Sequence, residues 1–125
     1  MADESCQCID DLKAIAPLGV YRAVSLKLAK FGGYRCVDGV LPLLSASNLL
    51  GYAGGTSESV LGVTAAVHYF SSRSGLIPGC DFYFPYRILA PQPLQGGVRP
   101  QNGFLLPADQ PGLGCTPPAE WFESA

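Results

Sequence analysis

The sequence predicts a mainly β fold: a small antiparallel sheet or sandwich with a short N-terminal helix, followed by an extended Pro/Gly-rich C-terminal arm. Three observations predict it. Val24, Leu26 and Leu28 alternate with Ala23, Ser25 and Lys27 at the period of a half-buried strand. Gly32-Gly33, set between Phe31 and Tyr34, has the composition of a tight hairpin turn. Seven of the eleven prolines fall after Leu89, interleaved with five glycines, which excludes regular helix over most of that stretch. The alternative is an α+β domain in which Val60 to Phe70 is helical.

Taken in order, the chain opens on a helix. Cys8, Ile9, Leu12, Ile15 and Ala16 share one face at helical spacing, Asp3 and Glu4 stand where the helix dipole favours anions, and Pro17 and Gly19 end it. A strand follows from Val20, then the Gly32-Gly33 turn, a returning strand over Tyr34 to Val37, and a further turn at Asp38-Gly39. Between Val40 and Ser72 the only formally charged residue is Glu58. Within that stretch the β-branched and aromatic content of Val60 to Phe70 favours strand, while Val60, Val63, Val67 and Phe70 are partly compatible with a helix capped by Thr56, Ser57 or Ser59. A turn over Ser71 to Gly75 precedes an aromatic strand, Asp81 to Leu89, whose Pro85 places it at a sheet edge or a bulge. The domain organisation expected is a compact core over 1–89 and an extended arm over 90–125. Val98, Phe104, Leu105, Leu106, Leu113, Trp121 and Phe122 give the arm spaced apolar anchors that a disordered linker lacks.

Composition sets the partner classes. A length of 125 residues suffices to bury a core, and a formal charge of −2 with a sequence pI near 5.1 supplies no basic footprint for nucleic acid. The N-terminus lacks the basic and apolar regions of a secretory signal, and no run approaches the roughly 20 apolar residues of a membrane span. A cytoplasmic or virion location is therefore expected. Five cysteines, Cys6, Cys8, Cys36, Cys80 and Cys115, form no C-x-x-C pair and read as reduced structural thiols, with Cys115 expected in an accessible loop.

The search for chemistry returns little. Phosphate-loop, H-E-x-x-H, G-x-S-x-G and EF-hand signatures are absent, and Gly51-Tyr52-Ala53-Gly54-Gly55 departs from the dinucleotide fingerprint. His68 is the lone histidine and reads as a hydrogen-bonded imidazole in an apolar segment. Asp10 and Asp11 diverge by 100° on a helix and do not form an acid/base pair. No catalytic, cofactor-binding or metal-ligating residue is nominated, and no cofactor is expected. A charge-poor chain, 14% Asp, Glu, Lys and Arg, has less than usual with which to solvate its surface. With the apolar anchors, this points to a non-enzymatic structural subunit of a larger assembly, such as a capsid decoration or tail component of a virus or bacteriophage. Its partners would be other protein subunits, most simply further copies, docked through Phe104, Leu105, Leu106, Leu113, Trp121 and Phe122. The alternative is a small metal-dependent or thiol-based enzyme using His68 and the cysteines.

Overall fold

The structure, a computed structural model, describes residues 1–88 and 92–123. The chain divides into two compact units, Met1–Thr56 with Arg73–Asp81, and Ser57–Ser72 with Phe82–Ala125. The boundary expected between Leu89 and Ala90 lies outside the described residues.

The first unit is built on parallel strands. Strand β1 (Ala23–Leu26) pairs in parallel with β2 (Leu50–Ala53), setting Ala23 beside Leu50 and Leu26 beside Ala53, and β2 pairs in parallel with β3 (Leu76–Cys80). On the other side of β1, Ala2 makes a parallel bridge to Val24: its amide donates to the Ala23 carbonyl and its carbonyl accepts from Ser25, both at 2.8 Å. All four residues of β1 are buried, as expected of a parallel strand covered on both faces. Gly51 makes the close packing possible, because a Cβ there would stand 2.7 Å from Leu76 Cδ2 and 2.8 Å from Leu26 Cδ1.

Helices α1 (Ile9–Ile15), α2 (Leu28–Phe31) and α3 (Tyr34–Ala46) complete this unit. The opening helix forms within the stretch expected of it, but Asp3 and Glu4 lie ahead of it and its first turn carries Asp10 and Asp11 instead. Asp11 Oδ2 accepts the Gln7 and Cys8 amides at 2.7 and 3.1 Å, satisfying donors that a helix N-terminus leaves free, and Leu12 is buried. In α3, Val37, Val40 and Leu44 recur at helical spacing and are all buried. The helix ends on Asn48 at φ +53°, with the Leu49 amide donating to the Leu44 carbonyl at 2.9 Å, a left-handed terminus that returns the chain to β2.

The second unit gathers around α4 (Val60–Ser71). Ser59 Oγ caps it by accepting the Gly62 amide at 3.2 Å, and Gln92 Oε1 accepts the Val60 amide at 2.9 Å. Val63, Thr64, Ala66, Val67, Tyr69 and Phe70 are buried around it. Thr64 Oγ1 donates to Val60 O at 2.8 Å and accepts from the Val98 amide at 3.1 Å, which fixes the later segment to the helix. Helix α5 (Phe84–Arg87) adds Tyr86, whose hydroxyl donates to Val98 O at 2.6 Å, and Phe70 stacks on Phe82 at 6.3 Å. Beyond it are two short antiparallel pairs, β4 (Gln95–Gly96) with β7 (Cys115–Thr116) and β5 (Pro100–Gln101) with β6 (Phe104–Leu105).

The mainly β expectation is thus corrected: the principal sheet is parallel, and helices dominate the regular structure around it. An antiparallel sheet or sandwich does not describe it. Gly32 and Gly33, at φ +87° and +102°, do not turn a hairpin but end α2 and begin α3, so Tyr34 to Val37 and Asp38-Gly39 are helical. Val60 to Phe70 is a helix, as the alternative had it, and Asp81 to Leu89 is interrupted by α5 in its described part. From residue 92 the C-terminal segment packs on α4 through Gln92, Val98 and Ala108.

Candidate active site

Parallel strands all leave their sheet at the same edge, where side chains from separate stretches of sequence converge on a rigid base; enzymes built on such sheets carry their chemistry there. In the first unit that edge is formed by Asp3 after the Ala2 bridge, Lys27 after β1, Gly54-Gly55 after β2 and Asp81 after β3.

The Asp3 carboxylate joins two lysine side chains. Lys27 Nζ lies 2.9 Å from Asp3 Oδ2, and Lys30 Nζ, from α2, lies 3.2 Å from Asp3 Oδ1. Lys30 also donates to Ser25 O at 2.8 Å and to Asp3 O at 3.1 Å, and its ammonium stands 5.2 Å from the centre of the Phe31 ring. Side-chain exposure falls from 29% at Asp3 to 12% at Lys27 and 5% at Lys30, so these ion pairs are partly withdrawn from solvent and less screened than surface pairs. Burial alone would raise the Asp3 carboxyl, but the hydrogen bonds and charges of Lys27 and Lys30 outweigh it and hold it below its ordinary value. Burial likewise pulls Lys27 down, and the Asp3 hydrogen bond and charge, with Asp81 and Glu4, carry it above its ordinary value.

The end of β2 is shaped around Lys27. Gly54 donates to Leu26 O at 2.9 Å; a Cβ at Gly54 would overlap Ser25 Oγ and press on Lys27 Cγ and Cε at 3.1 and 3.2 Å. Asp81 Oδ1 accepts the Gly55 amide at 2.5 Å, tying the ends of β2 and β3 together. Tyr52, one turn of pleat below, has its phenol raised first by burial and then by the charges of Asp81 and Cys80.

Among the described residues no group of three or more His, Cys, Asp or Glu side chains converges as a metal-binding cluster. Both Asp3 oxygens are engaged by ammonium groups and one Asp81 oxygen by an amide. A hard divalent cation takes about six oxygen ligands. The described residues alone fall short of that shell.

The residues nominated for interaction belong to the second unit. Phe104, Leu106, Trp121 and Phe122 are exposed, while Leu105 and Leu113 are half-buried. His68, on α4, accepts the Ala108 amide on Nε2 at 3.2 Å, as expected of a satisfied imidazole. The cysteines are free thiols: Cys6 is buried, Cys115 half-buried, and Cys8, Cys36 and Cys80 exposed. Glu58 lies in the loop between β2 and α4, just ahead of the cap Ser59. Sequence reasoning missed Lys27, Lys30 and Asp3. The one available signal was a lysine at the junction where a period-two stretch stops, in Leu26-Lys27-Leu28-Ala29-Lys30.

Comparison with known proteins agrees with this geometry. A family model described as "Enolase C-terminal domain-like" matches residues 1–121. Muconate cycloisomerase 1 of Pseudomonas putida is 30% identical over 117 residues, covering 93% of this chain and 31% of that protein. D-Ala-D/L-Ala epimerase of Cytophaga hutchinsonii is 33% identical over 116 residues, with coverage of 92% and 31%. Among solved structures, muconate lactonizing enzyme from Pseudomonas putida superposes with a TM-score of 0.83 at 29% identity, over 93% of this chain and 32% of that one. The L-Ala-D/L-Glu epimerase from Bacillus subtilis gives a TM-score of 0.84 at 26% identity, over 94% and 32%. The chain therefore spans about a third of the length of these relatives.

These relatives are enzymes, which overturns the expectation of a non-enzymatic subunit of a virus or bacteriophage particle. The physical reason is that the low charge content accompanies a sheet and helices buried within the chain's own units. The comparisons favour the enzyme half of the alternative reading over the structural-subunit one, but its use of His68 and the cysteines does not match the groups that converge here. No helix among the described residues is long and apolar enough to cross a membrane. By its match over nearly its whole length, and by the parallel sheet that carries Lys27 at its edge, the chain belongs to the enolase C-terminal domain-like family.

Proposed function

We propose that this chain supplies part of an active site that moves a proton at a carbon next to a carboxylate, with Lys27 as the group that takes or returns the proton. The observation that carries the reading is the position of Lys27: it directly follows a buried parallel strand, with its ammonium held 2.9 Å from Asp3. Enolase-superfamily sites use a Lys or His base for this chemistry. His68 is the only histidine, and its Nε2 is occupied by a backbone amide, which leaves Lys27 as the candidate.

In the forward step the substrate C–H bond breaks, the proton passes to neutral Lys27 Nζ, and the bonding pair moves toward the carboxylate to give an ene-diolate. The reverse step returns a proton from the Lys27 ammonium. Asp3 favours the ammonium, so the structure holds Lys27 in its donor form; abstraction requires that form to lose its proton first. Gly54 leaves room for the Lys27 stem, and Asp81 holds the adjoining loop. Enolase-superfamily sites also use magnesium to stabilise the ene-diolate; the described residues alone fall short of such a shell.

The substrate class proposed is a small carboxylic acid with a hydrogen on a saturated carbon next to the carboxylate: a dipeptide, of the kind named for the epimerase, or a lactone such as the muconolactone bound to a solved relative. The test is exchange of the substrate's α-hydrogen with D2O, followed by NMR, for the purified protein and its Lys27→Met variant. Exchange should fall by about 10²-fold or more in the variant, the usual worth of a positioned acid–base group. Exchange at the wild-type rate in a folded variant, or none with either the dipeptide or the lactone, contradicts the reading.

A further inference from the structure

We propose that His68 is a pH-sensitive latch: while its imidazole is neutral it holds the stretch between β6 and β7 against α4, and when the imidazole takes up a proton that stretch is released. All the groups involved belong to the second unit, and the inference is independent of the reading of Lys27.

The direction of one hydrogen bond sets the dependence. His68 Nε2 accepts the Ala108 amide at 3.2 Å, and an imidazole nitrogen accepts only while it carries no proton, so the ring proton sits on Nδ1. An imidazolium is a donor at both nitrogens. Protonation therefore turns Nε2 into a donor facing another donor, and the bond is lost. Ala108 is half-buried, and an amide withdrawn from water without an acceptor is unfavourable, so the segment moves outward until both groups are hydrated. The bond is present above the range in which the imidazole titrates and absent below it.

The surroundings make the release local. Ala108 lies in irregular backbone between β6 and β7, and its methyl packs against Gly114, where an added Cβ would overlap it. Ala108 is thus gripped between α4 and the residue that leads into β7. The neighbouring ties between α4 and the C-terminal segment do not titrate: Thr64 Oγ1 accepts the Val98 amide, and Gln92 Oε1 accepts the Val60 amide. Protonation frees the stretch around Ala108 and leaves Gln92 and Val98 in place. His68 stands in the last turn of α4, where the negative end of the helix dipole favours a cation. The other ionisable groups on α4 and the elements against it are Tyr69, Tyr86 and Arg87 of α5, and Arg99, Asp109 and Cys115 of the C-terminal segment, with Glu58 ahead of the opposite end of the helix. Phenols are uncharged where imidazoles titrate. Asp109 directly follows Ala108 and favours the imidazolium, while Arg87 and Arg99 oppose it.

The experiment is amide hydrogen exchange of the isotope-labelled 125-residue chain by NMR at about pH 8 and about pH 5, which bracket the range of imidazole titration. Each rate is compared with the intrinsic rate at the same pH to give a protection factor. Ala108 should lose about fivefold or more of its protection at the lower pH, the worth of one neutral hydrogen bond, while Val98 keeps its own. His68→Gln offers an acceptor that does not titrate and should hold Ala108 equally at both pH values. Equal protection of Ala108 at the two pH values in wild type, a parallel loss at Val98, or a pH dependence that persists in folded His68→Gln would overturn the proposal. If His68→Gln does not fold by circular dichroism, the wild-type comparison of Ala108 with Val98 decides.

Discussion

Two ammonium groups bound to one carboxylate make Asp3 the electrostatic centre of the strand-end cluster, and its ionisation is linked to folding. The Asp3 carboxyl is depressed in the folded state, so its stabilising effect is present above its ordinary value of 3.8 and is lost as pH falls through the lower folded value. Lys27 is raised, so its effect is complete below its ordinary value of 10.5 and is lost as pH rises through the higher folded value. Denaturant midpoints measured across pH should therefore hold between these limits and fall on both sides, and Asp3→Asn should flatten the acid limb. An acid limb unchanged in Asp3→Asn would contradict this assignment. None of this was legible residue by residue. At period two Lys27 occupies the same register as Ala23 and Ser25, and a lysine there reads as the wet face of a half-buried strand, when in fact the strand is buried on both faces.

At the scale of elements, α4 decides how the C-terminal segment is read. Its β-branched residues suit a strand, and its apolar residues surround much of its circumference, which blurs helical periodicity. Ser59, one of the caps considered, was the informative signal, since its hydroxyl does accept the Gly62 amide. Thr64 shows what the helix does for the segment beyond: its hydroxyl bridges Val60 O and the Val98 amide, both groups being buried or nearly so. Thr64→Val should leave the Val98 amide unpaired and cost about 1–3 kcal/mol by chemical denaturation, with faster hydrogen exchange at Val98. An amide as protected as in wild type would show that the segment is held by other contacts. The opening helix, the core of β1 and the turn after Ser71 were readable because each rests on local chemistry. Gly32-Gly33 was not, since two glycines at positive φ serve a hairpin and a helix–helix junction equally well.

For the whole molecule, the direction of the strands separates the two accounts of the fold. Once Tyr34–Ala46 and Val60–Ser71 are helices, strands alternate with helices along the chain, and that alternation implies a parallel sheet with one functional edge. Reading either as strand instead implies hairpins, scatters the charged residues and leaves the apolar C-terminal residues as the most prominent feature. Sequence pattern thus located several elements but not their pairing, and the candidate site exists only through the pairing. Zero-length carbodiimide coupling of carboxylates to lysines, read by peptide mass spectrometry, tests this most directly. The parallel arrangement predicts that Asp3 couples to Lys27 or Lys30, because Ala2 lies beside Val24. A hairpin turning at Gly32-Gly33 would set Lys27 opposite Asp38, so coupling of Lys27 to Asp38 with none to Asp3 would contradict the account.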